Sequence, residues 1–227
     1  LKRGVYLKRN IKKGNKITVN DVYFSIPLQE NGMHSGMWKE NLTLKLDKKK
    51  DEFIKVNEIS YDDKFNKNQI LKKSIHIAKG ILNEAKVFLN SDFEAEFSHH
   101  YGVEEFEKTG AIIINCINRE YCKKLVIVLP GQSHPDHYHK RKEETFNLLY
   151  GDFELTVDGA QRSLYPGDIS LVMPGVWHSF KSKKGCIVEE VSTTHFKNDS
   201  VYKDPLINKL KLEQRKTKVP NWGRYFI

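Results

Sequence analysis

Three histidines and one glutamate in the second half of the chain have the residue types and spacing of a metal site. His137 and His139 are two residues apart, so both imidazoles face the same way if they lie on a β-strand. Glu144 follows after a predicted turn, and His178 is available from an opposing strand. Three imidazoles and one carboxylate suit a first-row divalent ion and leave one or two positions for water or substrate. The sequence therefore predicts one divalent transition metal (Mn, Zn, Fe or Ni) on these residues.

Two neighbouring residues leave the ligand set open. Glu143 stands beside Glu144, although only Glu144 has six residues between it and Gly151. His134 is an alternative ligand, but Pro135 and the surrounding loop favour a role in ordering that loop. The alternative for the set as a whole is that the histidines lie in a core with their hydrogen bonds satisfied.

The elements that must position these residues are mainly short strands. Apolar runs beyond Val87 are separated by Gly, Pro and Asp turns at roughly ten-residue spacing, which is typical of a sandwich or barrel. Before them, apolar residues at close to helical period from about Asn66 to Glu84 predict an amphipathic helix packed outside the strand-rich domain. The predicted strands cover residues 111–117, 125–129, 144–149, 153–157, 169–173 and 186–192.

The N-terminal region has a different character. Residues 1–50 carry twelve Lys or Arg against four Asp or Glu, in a chain whose net charge is +9. Short apolar runs broken by turn signals predict a loop-rich β module over residues 1–58, followed by a domain over residues 59–227 that ends in a basic tail at 209–218. The charge favours either an anionic neighbour or a solvated lysine-rich face. Nucleic-acid binding is disfavoured because no aromatic-interleaved RNA motif accompanies the charge.

Composition excludes other classes. No run approaches 18 apolar residues and no signal-peptide pattern opens the chain, so we predict no membrane segment. Cys116, Cys122 and Cys186 are odd in number and form no CxxC pair, which indicates reduced core thiols in a cytoplasmic protein. The chain begins with Leu1 instead of Met, which suggests a piece of a longer polypeptide.

The segments around the predicted ligands resemble the two motifs of the cupin superfamily. Five residues fit every spacing of the first motif, G-x5-HxH-x3,4-E-x6-G: Gly131, His137, His139, Glu144 and Gly151. The second motif, G-x5-PxG-x2-H-x3-N, is matched at Gly167, Gly175 and His178, with Met173 and Ser182 in place of its proline and asparagine. The resemblance implies a mainly all-β protein whose larger domain is a cupin double-stranded β-helix, or jelly-roll barrel, and by analogy a homodimer.

About residues 95–205 resemble the D-lyxose-isomerase-like cupins, including those fused to sialic acid synthase-type proteins. The shared segments include 98–102, 118–121, 137–146 and 189–195. In that family the metal holds adjacent sugar oxygens while a proton moves between carbons through an enediol. Glu189 or Glu190 is the candidate base, since one of two adjacent strand residues must face inward, and Lys142 is the candidate for orienting a sugar oxygen. The candidate substrate-binding residues are His99, His100, Tyr101 and His195, the first three of which equally fit a turn with a capped histidine.

Residues 3–58 resemble the small SAF, or antifreeze-like, domain at the C-terminal end of sialic acid synthases. The likeness runs from Arg3-Gly4-Val5-Tyr6 through Ile11-Lys12-Lys13-Gly14. Ile26 precedes Pro27, where that family carries an arginine that contacts substrate. The resemblance implies an upstream synthase barrel in the same polypeptide as a partner.

Two hypotheses about function follow. The first is a metal-dependent cupin enzyme acting on a sugar or sugar phosphate, as an aldose–ketose isomerase or epimerase linked to sialic-acid-like nine-carbon sugars. The second is a non-catalytic sugar-binding cupin that regulates or tethers a synthase. Turnover of free or phosphorylated sugars by the isolated protein distinguishes them.

Overall fold

The computed structural model describes residues 2–40, 42–61, 63–90 and 92–224, and the side chains of residues 63–65 lie outside this description. The chain divides into two compact units, Leu1–Asn66 and Lys67–Ile227. The division falls inside a connecting helix, whereas the sequence prediction placed it between residues 58 and 59. The mainly β character predicted from the sequence is confirmed.

The first unit is built from short strands around its own apolar core. Val5, Leu7 and Ile17 are fully buried there, and turns such as that at Gly14, where φ is +83°, separate the strands. One antiparallel pair and one three-stranded sheet result. The strands are β1 (Gly4–Leu7), β2 (Lys16–Ile17), β3 (Val22–Ser25), β4 (Leu42–Leu44) and β5 (Ile59–Ser60), of which β1 pairs with β3 and β4 lies between β2 and β5.

A single long helix, α1 (Asp63–Glu84), leads into the second unit. Its residues Leu71, Ile75, Ala78 and Leu82 follow one another at helical spacing and are buried as one stripe. This stripe packs against apolar side chains on the outer face of the larger sheet described below. The amphipathic helix predicted from about Asn66 is therefore confirmed.

The second unit contains two antiparallel sheets that pack face to face over a shared apolar core. The seven-stranded sheet has the order β13-β10-β15-β8-β7-β6-β17, and the five-stranded sheet has the order β12-β11-β14-β9-β16. In chain order the elements are β6 (Glu94–Ser98), β7 (Ala111–Asn118), β8 (Tyr121–Val128), β9 (Ser133–His139), β10 (Glu144–Gly151), β11 (Phe153–Val157), β12 (Ala160–Leu164), β13 (Ile169–Val172), β14 (His178–Lys181), β15 (Cys186–Thr193), β16 (Ser200–Tyr202), α2 (Pro205–Lys209), α3 (Leu212–Arg215) and β17 (Lys216–Pro220).

Along several strands, the side chains that face the interior change from apolar to polar toward one end of the sandwich. On β8 the inward-facing residues toward this end are Val128, Val126 and then Lys124. On β15 they are Val188 and then Glu190. The two series run side by side because the register of the sheet pairs β15 antiparallel with β8. Charged groups are therefore gathered at that end, above the apolar core.

The structure corrects the sequence analysis at the C-terminal segment 209–218. It is not a free tail, because it contains α3 and continues into β17, which pairs with β6 at the edge of the larger sheet. Val219 joins the apolar cluster under α1, while Lys216 and Lys218 alternate to the opposite face. Because lysines are frequent in this segment, its alternation of apolar and polar positions was not evident in the sequence.

Composition also led to predictions about the cysteines and about membrane segments. Cys122 and Cys186 are buried free thiols as predicted, but Cys116 is exposed, because it faces outward beside an irregularity in the register of β7. Among the described residues, no helix is both long and apolar enough to cross a membrane.

Candidate metal centre and its cavity

The four predicted ligands come together at the polar end of the sandwich. His137 and His139 lie on β9, and His178 on β14 is the direct cross-strand partner of His137. Glu144 is the first residue of β10 in the facing sheet. One nitrogen or oxygen atom from each of the four lies within 4.8 Å of the others, and all four side chains are buried. Two sheets thus contribute ligands to one point in the interior.

Each imidazole is oriented by a hydrogen bond from its Nδ1 atom. The Nδ1 atom of His137 lies 3.0 Å from the carbonyl oxygen of Pro135, and that of His178 lies 3.1 Å from the carbonyl oxygen of Val176. The Nδ1 atom of His139 lies 3.2 Å from Ser200 Oγ. A carbonyl oxygen can only accept, so in His137 and His178 the Nδ1 atom donates and Nε2 keeps the lone pair that a metal needs; the Ser200 hydroxyl is able to accept from His139 in the same way.

Unsatisfied polar atoms at the centre of the cluster also fit a cation. Glu144 Oε2 and His178 Nε2 are fully buried and lack hydrogen-bond partners. The two atoms are 3.0 Å apart. Without a cation between them, burying both atoms without hydrogen bonds would destabilise the folded protein. A divalent cation among the four side chains would satisfy both atoms, and the donor set of three imidazoles and one carboxylate suits such an ion.

The protonation states agree with this interpretation. Burial lowers the pKa of His137 and His139, so both rings are neutral near pH 7. For Glu144, burial would raise the pKa, but the neighbouring ammonium of Lys142 holds it well below its usual value. The cluster thus offers the neutral imidazoles of His137 and His139 and an ionised carboxylate.

The alternatives left open by the sequence lie elsewhere. Glu143 is half-buried and lies outside the cluster: its backbone N–H donates to Thr193 Oγ1, and its carbonyl oxygen accepts from the backbone N–H of Thr193. His134 is buried, and its ring stacks on Phe180 with the centroids 4.5 Å apart. The geometry therefore favours Glu144 as the carboxylate ligand and gives His134 a packing role beside the cluster.

A cavity of about 380 Å³ adjoins the cluster, and a buried chain of charges forms part of its wall. Glu190 Oε1 lies 2.8 Å from Lys124 Nζ and 3.0 Å from Lys142 Nζ. Lys142 Nζ also makes an ion pair with Glu144, so it bridges the cluster and Glu190. Burial would raise the pKa of Glu190, but the two lysines lower it, and the carboxyl is ionised at neutral pH.

The two adjacent glutamates that the sequence could not separate lie on opposite faces of β15. Glu190 faces the cavity, whereas Glu189 faces outward and pairs with Lys123 at 2.7 Å. Strand alternation forces this division, and the apolar core below Glu190 decides which of the two is inside.

Of the four predicted substrate-binding residues, His195 lines the cavity and the other three do not. His195 lines the cavity, its backbone is held by Asn118, and its Nδ1 atom is buried without a partner. Burial and nearby lysines lower the pKa of His195 to about 4, so the ring is neutral at pH 7.

The run from His99 to Tyr101 does not line the cavity. His99 Nε2 bonds Thr217 Oγ1 at 3.1 Å, and the Tyr101 hydroxyl donates to Asp204 at 2.7 Å. The His100 ring packs behind His134, with the centroids 4.5 Å apart. His100 has a φ of +52°, so this run forms a turn that supports the cavity wall.

Several residues of the cavity wall were not predicted from the sequence. The Tyr202 ring stacks on the His137 ring with the centroids 5.4 Å apart, and the Arg215 guanidinium lies 5.5 Å from the Tyr202 centroid. Neither residue belongs to a motif, so only the fold identifies them. Lys124 did carry a signal, since a lysine at an inward position of an otherwise apolar strand needs a buried partner.

Comparisons with known proteins agree with this fold and site. Residues 124–188 match the Cupin domain family. The chain is 27% identical over 139 residues to the D-lyxose/D-mannose isomerase of Thermosediminibacter oceani, in a match that covers 48% of this chain and 77% of that protein. It is 24% identical over 148 residues to the D-lyxose ketol-isomerase of a Thermofilum species, covering 53% and 78%.

Two solved structures of low sequence identity share the architecture. The L-ribose isomerase of Acinetobacter sp. DL28 in complex with L-ribose has a TM-score of 0.52 at 14% identity, covering 62% of this chain and 94% of that one. The ligand-free L-ribose isomerase of Cellulomonas parahominis has a TM-score of 0.51 at 14% identity, with the same coverages. The larger unit therefore has the cupin fold, as the sequence predicted.

Removal of the first unit is expected to leave metal binding intact. All four clustered side chains lie in Lys67–Ile227, and so do the groups that orient them. A fragment of residues 60–227 should therefore retain the metal stoichiometry of the full chain, measured by elemental analysis of purified protein. Circular dichroism provides the control for folding, and a folded fragment that has lost its metal would contradict the assignment of the site to one unit.

Proposed function

We propose that the larger unit is a metal-dependent sugar isomerase or epimerase that moves a proton between adjacent carbons. The observation that carries this proposal is one cavity that holds both the His/Glu cluster and the buried carboxylate of Glu190. The names of the two D-lyxose isomerase relatives support the same reaction class. A cavity of about 380 Å³ has the size of a small-ligand site and suits a single monosaccharide.

The charges around the cavity suit this reaction. A divalent cation held by the cluster would bind the carbonyl and hydroxyl oxygens of adjacent carbons and stabilise the negative charge that develops on them. Glu190 supplies the base, because Lys124 and Lys142 keep it ionised before it takes the proton. Lys142 acts as a positioning residue, since it bridges Glu190 to the proposed ligand Glu144.

His195 is the proposed hydrogen-bonding residue for a sugar hydroxyl. Its ring is neutral, lines the cavity and keeps one buried nitrogen without a partner. A neutral imidazole can donate from one nitrogen and accept at the other, which suits a hydroxyl group. The loop that carries His195 is held by Asn118 through two hydrogen bonds to the backbone.

The biological setting is a finer proposal that rests on sequence resemblance. The likeness of residues 3–58 to the SAF domain of sialic acid synthases supports a sialic-acid-like sugar pathway and a synthase partner. The native metal is proposed to be Mn, Zn, Fe or Ni, and the assembly is proposed to be a homodimer by analogy with other cupins.

Hydrogen exchange at the sugar C2 position tests the proposed reaction. The metal-loaded protein is incubated in deuterated water with a panel of aldoses, ketoses, sugar phosphates, acidic sugars and N-acetylated sugars. We expect at least one member to incorporate deuterium at C2 or to convert to its isomer, because an enediol pathway passes through loss of that proton. If no member reacts with fully loaded protein, the non-catalytic sugar-binding hypothesis replaces the enzymatic one.

A further inference from the structure

We propose that Arg215 binds an anionic group on the sugar, so that the substrate is an acidic or phosphorylated monosaccharide. This inference rests on the proposed function and names the substrate class of the same site. The chemistry that it requires is an oxyanion, which a carboxylate or a phosphate monoester can supply. The guanidinium would hold that group while the reacting carbons lie at the metal centre.

The balance of charge around the cavity favours an anionic ligand. The acidic side chains that line it are all engaged: Glu96 pairs with Lys216 at 2.6 Å, Glu144 belongs to the metal cluster, and Glu190 pairs with two lysines. The lining also carries more basic than acidic side chains, and a metal held by the cluster would add further positive charge. The basic residues of the lining are Lys124, Lys142, Lys197, Arg215, Lys216 and Lys218.

Among the described residues, four of these six cations have a carboxylate partner and two do not. Lys218 pairs with Glu94, and the other paired lysines have been described above. Within the ranges that the structure describes, Lys197 and Arg215 form no ion pair. Lys197 is exposed, so it can attract anions without fixing their position. Arg215 is only partly exposed and is the better candidate for a defined contact.

The Arg215 side chain itself lacks the hydrogen-bond partners that a guanidinium needs. Its Nε atom is fully buried and has no hydrogen-bond partner among the described residues. A buried N–H group without an acceptor is destabilising, and the charge of a guanidinium increases the penalty. The two Nη groups also have no partner among the described residues but keep accessible surface, so an oxyanion in the cavity would accept from them and neutralise the charge. The planar guanidinium also matches a carboxylate or phosphate in a two-point contact, which a lysine cannot reproduce.

Arg215 is held in place relative to the candidate metal centre. Its carbonyl oxygen accepts from the backbone N–H groups of His99 and His100, at 2.9 and 3.1 Å. Its guanidinium lies over the Tyr202 ring, which in turn stacks on the proposed ligand His137. The ring therefore separates the cation from the metal centre, and an anionic group at Arg215 would lie at the end of the sugar away from the reacting carbons.

Binding measurements on matched sugars test this proposal independently of turnover. Isothermal titration calorimetry on the metal-loaded full chain would compare D-mannose, D-mannuronate and D-mannose 6-phosphate, and the corresponding D-glucose series. We expect the wild-type protein to bind at least one anionic member about ten- to a hundredfold more tightly than its neutral parent, as a charge-assisted contact would produce. Whether the carboxylate or the phosphate binds more tightly identifies the source of the oxyanion.

Two substitutions assign the preference to Arg215. Arg215→Met should remove the preference by weakening the binding of anionic sugars far more than that of the neutral parent, and Arg215→Lys should restore part of the preference because the charge returns without the planar fork. The control is Lys209→Met, which removes a charge of the same sign from α2, outside the cavity lining. Metal content and circular dichroism verify that each variant is folded.

The outcomes separate this inference from the proposed function. An equal affinity for anionic and neutral sugars, a failure of every anionic sugar to bind, or an unchanged preference in folded Arg215→Met would each overturn the role of Arg215. Sugar isomerisation that is insensitive to Arg215→Met would do so while leaving the proposed reaction intact. An Arg215-dependent preference without hydrogen exchange would instead support the binding site and contradict the enzyme.

Discussion

Combining His137→Ala with His139→Ala is expected to abolish binding of the divalent metal, whereas wild-type protein should carry about one equivalent per chain. The two imidazoles come from one strand and supply half of the clustered side chains. The two side chains that remain, Glu144 and His178, are too few to hold a first-row ion tightly. Elemental analysis of purified protein, followed by titration with Mn, Zn, Fe and Ni, measures the effect.

The matched control for this experiment is His134→Gln. His134 lies on the same strand and is buried beside the cluster, but it is not one of the four clustered residues. This variant should keep its metal. The double variant should remain folded, because the apolar core between the sheets lies apart from the ligands. Full metal retention in a folded double variant would show that the cluster is not the metal site.

Glu190→Gln is expected to reduce turnover by about 10²–10⁴-fold, the range typical of removing a general base. The amide has nearly the same shape, but it cannot take up the proton from the sugar carbon. Metal content should not change, because Lys142 keeps its partner Glu144 and the clustered side chains are untouched. The rate of C2 hydrogen exchange on the substrate identified from the sugar panel is the measurement.

Glu189→Gln provides the control on the same strand. Glu189 faces outward and pairs with Lys123, so its substitution removes an equal charge without touching the cavity. Exchange in this variant should stay within a few-fold of wild type, since partly exposed ion pairs contribute little. If both variants lose activity equally, or if Glu190→Gln keeps the wild-type rate, Glu190 is not the base.

The adjacent glutamates show where reasoning from the sequence stops. The alternation of a strand is a local property, and it already required Glu189 and Glu190 to face opposite ways. Which of them faces inward depends on the pairing of β15 with β8, because that register places Glu190 beside Lys124 above the apolar core. Pairing between distant segments is not encoded in the spacing of neighbouring residues.

The C-terminal segment is a second place where the sequence alone did not predict the structure. Its lysines suggested a solvated tail, since a row of charges is usually exposed. The fold pairs β17 with β6 and brings Arg215, Lys216 and Lys218 to the cavity. The acidic partners Glu96 and Glu94 lie more than a hundred residues earlier in the chain. A charge that is neutralised by so distant a partner cannot be distinguished from a solvated one in the sequence.

The sequence by itself determined the mainly β class, the long helix and the four residues that cluster as candidate ligands. These features depend on residue types and short spacings: two residues along a strand, one helical turn, and a turn between adjacent strands. Only the tertiary structure decided which glutamate faces the cavity, that the run from His99 to Tyr101 supports its wall, and that Tyr202 and Arg215 belong to it. The physical reason is that a cavity is made where two sheets meet, and the residues that meet there are chosen by pairing and packing between segments far apart in the chain.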